Sequence, residues 1–152
     1  MAQVGTVTVS GGGDVTPAKR LIMMGGKANL IDNGINYSNW DVGGSGYADA
    51  NGVRLVATGT GDYAALNTNL KPLTTYTLVY RIAESTIDGW FYMADRYTGS
   101  DTRLPSTIGV HKVTFTTQET ITDNQLRFYL ANNCTDNTYV LLTDLAIYEG
   151  AV

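Results

Sequence analysis

His111 is the single histidine and Cys134 the single cysteine of the chain, so the side chains that most often hold metals or activate nucleophiles occur once each. One imidazole does not make a His-based metal cluster. A Ser-His-Asp arrangement would have to be built around a residue inside a strand-like run, with no nucleophile at useful spacing. His111 therefore reads as a strand histidine. Cys134 has no partner for an internal disulfide and reads as a small strand-edge residue rather than a reactive thiol. Fourteen acids, Glu84, Asp88, Asp95 and Asp144 among them, leave a glycosidase-type pair open, since that chemistry needs only two carboxyls about 5 to 9.5 Å apart. Most of them, however, stand beside Gly or Asn in turns, where Asp caps nearby backbone. Gly59-Thr-Gly61 lacks the Gly-Lys-Ser/Thr ending of a phosphate loop. The expectation is a protein that is not an enzyme.

The aromatic residues carry more promise. Ten tyrosines and two tryptophans offer flat faces on which a sugar ring can stack, with a phenol or indole as hydrogen-bonding handle. If Phe91 and Met93 turn inward, Trp90, Tyr92 and Arg96 point outward from the same strand, and Arg127 with Tyr129 point outward from another. These five are the candidate ligand-binding residues. Tyr, Trp and Arg also anchor protein interfaces, so a glycan and a protein partner both remain open, with the balance toward protein contact.

Such residues need strands to present them, and the sequence supplies strands. Six segments alternate apolar and polar residues with a period of two, the clearest being Thr75–Ile82, Val110–Thr116, Gln125–Leu130 and Thr138–Tyr148. Leu21–Met24 is a further short apolar run, read as a strand. Asp32-Asn-Gly34, Gly43-Gly-Ser-Gly46, Asn51-Gly52, Thr58-Gly-Thr-Gly-Asp62, Asp88-Gly89 and Thr98-Gly-Ser-Asp101 punctuate the runs with residues that accept the positive φ of tight turns. No helical period of useful length occurs. The predicted class is all-β, a jelly-roll β-sandwich of two antiparallel sheets. Parity sorts its core: Tyr76, Leu78, Tyr80 and Ile82 on one face, Leu126, Phe128 and Leu130 on another, Tyr139, Leu141, Leu145 and Ile147 on a third, with Arg81, Arg127 and Asp144 opposite. Val140 and Leu142 are apolar as well, which predicts cover on both faces of the last strand.

Residues 1–19 read as an arm: an alternating stretch, Val4–Val9, then a hinge at Ser10-Gly-Gly-Gly-Asp14. Residues 20–152 read as one domain, large enough for a real core. Charged residues are 16% of the chain, below the average of about 25%, and twenty-one threonines carry much of the polarity. The net charge of −4, with Lys and Arg scattered, argues against nucleic acid as a partner. No apolar run suits a membrane helix, and the N-terminus does not read as a signal peptide. Synthesis in the cytoplasm, without membrane contact, is expected.

Taken in order, Asn29-Leu-Ile-Asp-Asn-Gly34 with Asn39-Trp40, Leu73–Leu78, Gly109–Thr117, Gln125–Leu130 and Leu142–Gly150 resemble the jelly-roll carbohydrate-binding modules. The version with this closing Glu149-Gly150 is similar to domains of bacteriophage head-decoration, tail and baseplate proteins. The resemblance covers roughly residues 29–150. It implies Trp40 as a core residue and Asp144 as the polar residue that opens the final half-strand. Sugar-binding members often follow the Asn-Gly turn with an aromatic and a glutamate that helps hold a structural calcium. Here Gly34 is followed by Ile35-Asn36-Tyr37, which weakens the case for calcium, and no other cofactor is implied. The function expected is that of a non-enzymatic virion accessory protein, a head-decoration or tail subunit on the virion surface, bound to capsid or tail proteins through its sheet edge or arm. Host-surface polysaccharide would be a further partner and a homotrimer a fitting assembly. The rival expectation is a glycan-binding module acting in host adsorption or as an adhesin.

Overall fold

The computed structural model describes residues 23–24, 27–31 and 37–152 of the chain. The arm at 1–19, Leu21–Ile22 and the Asn33-Gly34 turn lie outside the described residues. Each of the four clearest alternating runs is a strand. Thr75–Ile82 lies in β7 (Thr75–Ser85), Val110–Thr116 in β10 (Gly109–Thr116), Gln125–Leu130 is β11, and Thr138–Tyr148, apart from Thr138 itself, falls in β12 (Tyr139–Glu149). Around them lie β1 (Met23–Met24), β2 (Lys27–Ala28), β3 (Asp41–Val42), β4 (Tyr47–Asp49), β5 (Gly52–Val56), β6 (Tyr63–Asn67), β8 (Phe91–Met93) and β9 (Thr102–Leu104). No helix occurs among the described residues.

Two five-stranded antiparallel sheets form the sandwich, β10-β7-β12-β5-β4 in the first and β3-β6-β11-β8-β9 in the second. Their inner faces share one core: Tyr76, Leu78, Tyr80 and Ile82 of β7 meet Leu126, Phe128 and Leu130 of β11. At about 25 cal/mol per Å² of apolar surface, burial on this scale is the main force holding the sheets together. Trp40 belongs to this core and stacks on Phe128, ring centroids 6.0 Å apart. The polar tips of core tyrosines find partners, as where the Tyr80 hydroxyl donates to Pro105 O at 2.7 Å.

The last strand departs from the simple alternation. Val140, Leu142, Leu145 and Ile147 are the β12 residues in the main core, whereas Leu141 lies outside that cluster and Tyr139 is only half-buried. The reason is a register shift between Thr143 and Ala146 in the pairing with β7, where Asp144 adopts φ +53°. An irregularity of this kind moves every later side chain to the opposite face, so parity counted from Tyr139 misplaces the first half of the strand. Asp144 does open the final half-strand, its N–H donating to the Tyr37 hydroxyl at 3.1 Å. Beyond it, Ala146 and Tyr148 pack with Val79 in a second apolar cluster against Val152, so this half of β12 is covered on both faces. The chain end is tied there by Thr77, whose hydroxyl donates to Gly150 O (2.7 Å) and accepts from the Val152 N–H (3.1 Å).

Candidate aromatic binding face

The outer face of the second sheet carries one cross-strand row of aromatic side chains. In register, Tyr63 of β6 lies opposite Tyr129 of β11, Tyr129 opposite Tyr92 of β8, and Tyr92 opposite Arg103 of β9. Because neighbours in a row stand on the same side of a sheet, the three rings form a ladder. Centroids are 6.4 Å apart for Tyr63–Tyr129 and 5.6 Å for Tyr92–Tyr129. Trp90, just before β8, extends the row, half exposed at 50%, with the Arg103 guanidinium 4.1 Å from its ring centre. Trp90, Tyr92, Asp101, Arg103 and Ala131 enclose an open trough of about 400 Å³.

Local structure holds this face in place. Phe91 and Met93 are buried, which fixes Tyr92 outward by the period of two. The loop before Trp90 is bound to the loop after β11. Asn133 Oδ1 accepts from the Trp90 N–H (3.2 Å), Trp90 O accepts from the Ala131 N–H (2.8 Å), and Asp88 accepts from the Thr135 N–H (2.7 Å) and the Thr135 hydroxyl. Gly89 is required there, since a Cβ would stand 2.7 Å from Cys134 N and collide with the Asn133 side chain. At the other end, buried Asp62 closes the loop that leads to Tyr63, accepting from the Thr58 N–H (2.7 Å) and hydroxyl (2.5 Å). The Tyr63 hydroxyl then donates to Asp41 (3.1 Å). Arg127 lies 3.8 Å over the Tyr63 ring, donates to the Tyr129 hydroxyl (2.8 Å) and donates to Gln125 Oε1 (2.9 Å).

Charge is sparse and mixed on this face. Burial, and then the Asp101 carboxylate and Tyr129, raise the Tyr92 hydroxyl above its usual range, so the phenol stays a hydrogen-bonding group rather than an anion at neutral pH. Hydrogen bonds from the Thr135 hydroxyl and backbone hold Asp88 below the ordinary carboxylate value. The four acids named above are engaged in different parts of the fold. Glu84 accepts from the Tyr139 hydroxyl (2.6 Å), Asp88 is held by Thr135, Asp95 pairs with Arg96 (3.0 Å), and Asp144 forms the β12 break.

Of the five residues predicted from sequence, Trp90, Tyr92, Arg127 and Tyr129 stand together on this face. Arg96 does not share a strand with Trp90 and Tyr92, because β8 ends at Met93 and Arg96 follows in a turn. There it bridges Asp95 (3.0 Å) and Asp123 (2.9 Å). Tyr63 and Arg103 were not legible as members. Ala64-Ala65 blurs the alternation of β6, and β9 is three residues long, so neither strand has enough period to reveal its outward side. Cys134 is buried in a turn rather than at a strand edge, and burial pushes its thiol up. His111 sits in β10, its ring against Tyr80 at 5.4 Å. Among the described residues no three His, Cys, Asp or Glu side chains converge as metal ligands. Most of the residues after the Asn-Gly turn, where the resemblance would put calcium, fall outside them.

The first sheet carries a smaller counterpart. Arg54 lies between Tyr47 (5.7 Å) and Tyr139 (4.3 Å) on its outer side, with Glu84 3.9 Å away.

Compared with known proteins, the chain matches no protein-family model and no curated protein sequence. Solved structures do match it. A family 16 carbohydrate binding module superposes with a TM-score of 0.51 at 18% identity, over 78% of this chain and 99% of the module. The N-terminal cellulose-binding domain of β-1,4-glucanase C from Cellulomonas fimi gives 0.50 at 20% identity, over 75% of this chain and 90% of the domain. The enzymatically active domain of tailspike protein 4 of bacteriophage CBA120 gives 0.50 at 12% identity, over 80% of this chain but 21% of that one. The chain has the jelly-roll fold of carbohydrate-binding modules. At these identities the likeness is one of fold.

Proposed function

We propose that the chain is a non-enzymatic glycan-binding module that takes its saccharide on the outer face of the second sheet. The observation that carries this reading is the ladder Tyr63–Tyr129–Tyr92, continued by half-exposed Trp90. Sugar rings bury their C–H faces on such rings, while Tyr hydroxyls, Arg103 and Asp101 supply the hydrogen bonds that orient hydroxyl groups. The carbohydrate-binding modules among its structural neighbours support the reading. On a glycan array the protein should bind a discrete set of saccharides, and Trp90→Ala or Tyr92→Ala should abolish that binding with the fold intact. A clean array with correctly folded protein would end this reading.

A second reading, display on a phage virion through protein contacts, is favoured by a different feature. Among the described residues, the β10 edge of the first sheet runs eight residues without a partner beyond β7, and Ile108 and Val110 are exposed beside it. Open edges of this length are where another chain adds a strand. In this reading Val110→Asp weakens retention on purified particles and leaves glycan binding untouched.

A further inference from the structure

The described arginines fall into two classes. Arg54 is neutralised by Glu84 (3.9 Å), and Arg96 lies between Asp95 (3.0 Å) and Asp123 (2.9 Å). Arg103 and Arg127, the two on the aromatic face, have no ion pair among the described residues. Arg103 is exposed and rests on Trp90 (4.1 Å). Arg127 spends its polar atoms on a phenol and an amide, both neutral, and rests on Tyr63 (3.8 Å). Arg81 also lacks an ion pair among the described residues, but it stands on β7 of the first sheet, away from the row. Stacking fixes a guanidinium plane without neutralising its charge, and a fixed guanidinium that lacks a counter-ion attracts a carboxylate. Both ends of the row therefore present a flat cation instead of a bare ring.

We propose that the saccharide bound here is acidic, a chain containing uronic acids, with one carboxylate held by Arg103 and another by Arg127 while the sugar rings between them stack on Tyr92 and Tyr129. This inference rests on the glycan-binding reading above. By sheet geometry the two arginines stand roughly 12 Å apart at their Cα atoms, two strands across and two residues along, so they engage carboxylates on non-adjacent sugars. Asp101 lines the same trough and opposes an anion there, and the net charge of −4 opposes its approach. Recognition then depends on short-range contact, which salt screens less than long-range attraction.

The probes are polygalacturonate and alginate oligomers, each paired with the same oligomer after reduction of its carboxylates to alcohols, with binding to the full chain measured by calorimetry. At least one acidic oligomer should bind ten times or more tighter than its reduced form. Arg103→Gln and Arg127→Gln should each erase most of that ratio by weakening the acidic oligomer far more than its reduced form, and Asp101→Asn should tighten the acidic oligomer severalfold. Equal binding of acidic and reduced forms, or binding confined to neutral glycans, overturns the acidic class and leaves the glycan reading standing. Folded protein that binds neither these oligomers nor anything on a glycan array overturns both.

Discussion

The outer faces of the two sheets use the same parts for different ends. Each holds an arginine between two tyrosines, Arg54 between Tyr47 and Tyr139 on the first sheet and Arg127 between Tyr63 and Tyr129 on the second. On the first sheet a carboxylate is already in place: Glu84 lies 3.9 Å from Arg54 and takes the Tyr139 hydroxyl, while Arg54 Nε has no hydrogen-bond partner among the described residues and Tyr47 is half exposed. Further along that face Tyr148, Val79 and Ala146 lie under the chain end. On the second sheet no carboxylate among the described residues meets Arg127, and the row continues through Tyr92 to half-exposed Trp90. A motif of residue types therefore does not make a site. What separates the two is whether the arginine already meets a carboxylate within the chain, since an unpaired cation gains more from an anionic group of a ligand than a paired one does.

If the division is real, substitutions on the two faces should separate binding from stability. The largest effect is expected from Trp90→Ala combined with Tyr92→Ala, which should lower glycan affinity a hundredfold or more by calorimetry. The urea midpoint should move little, because neither side chain belongs to the buried core. Next is Arg54→Ala. It removes a guanidinium sandwiched between rings and should cost about 1–2 kcal/mol of folding stability, with glycan affinity changed less than twofold. The reverse outcome for this pair would move the site to the first sheet.

The smallest change is expected at Tyr148. It is fully buried, its hydroxyl has no hydrogen-bond partner among the described residues, and burial pushes it up to about 12. Tyr148→Phe should stabilise the protein by up to about 1 kcal/mol, since it removes a desolvated polar atom and keeps the packing. The same burial sets a pH dependence. The neutral phenol is favoured in the fold, so this stability is fully present below the ordinary tyrosine value of 10 and is lost as pH rises from there through about 12. Alkaline unfolding followed by circular dichroism should therefore be less steep in Tyr148→Phe, while Tyr92→Phe on the open face should alter it less.

How far the sequence reveals this division depends on strand length. β7, β10 and β11 run six to eleven residues, long enough for a period of two to sort inside from outside. Through β11 this gives Arg127 and Tyr129 their outward side, and buried Phe91 and Met93 do the same for Tyr92. Tyr63 and Arg103 escape because their strands offer only a few residues, and membership of the row is a matter of cross-strand register, which depends on residues far away in sequence. Arg96 is misassigned for a related reason, since nothing in Ala94-Asp95-Arg96 marks where β8 stops. Nor does the chain as written disclose that Glu84 meets Arg54 across the sheet, which is the contact that distinguishes the first sheet's outer face from the second's.

The break at Thr143–Asp144 gives β12 the character of a phase-setter. Upstream of it Val140 and Leu142 feed the core, and downstream Leu145 and Ile147 do, an odd number of positions away, so one strand serves two frames of alternation joined by a single residue in the left-handed region. Adding one more residue beside it would leave the composition almost unchanged and still turn Leu145 and Ile147 to the wrong side of the sheet. At this half-buried spot the spacing, more than the identity of any side chain, is what the architecture cannot trade away.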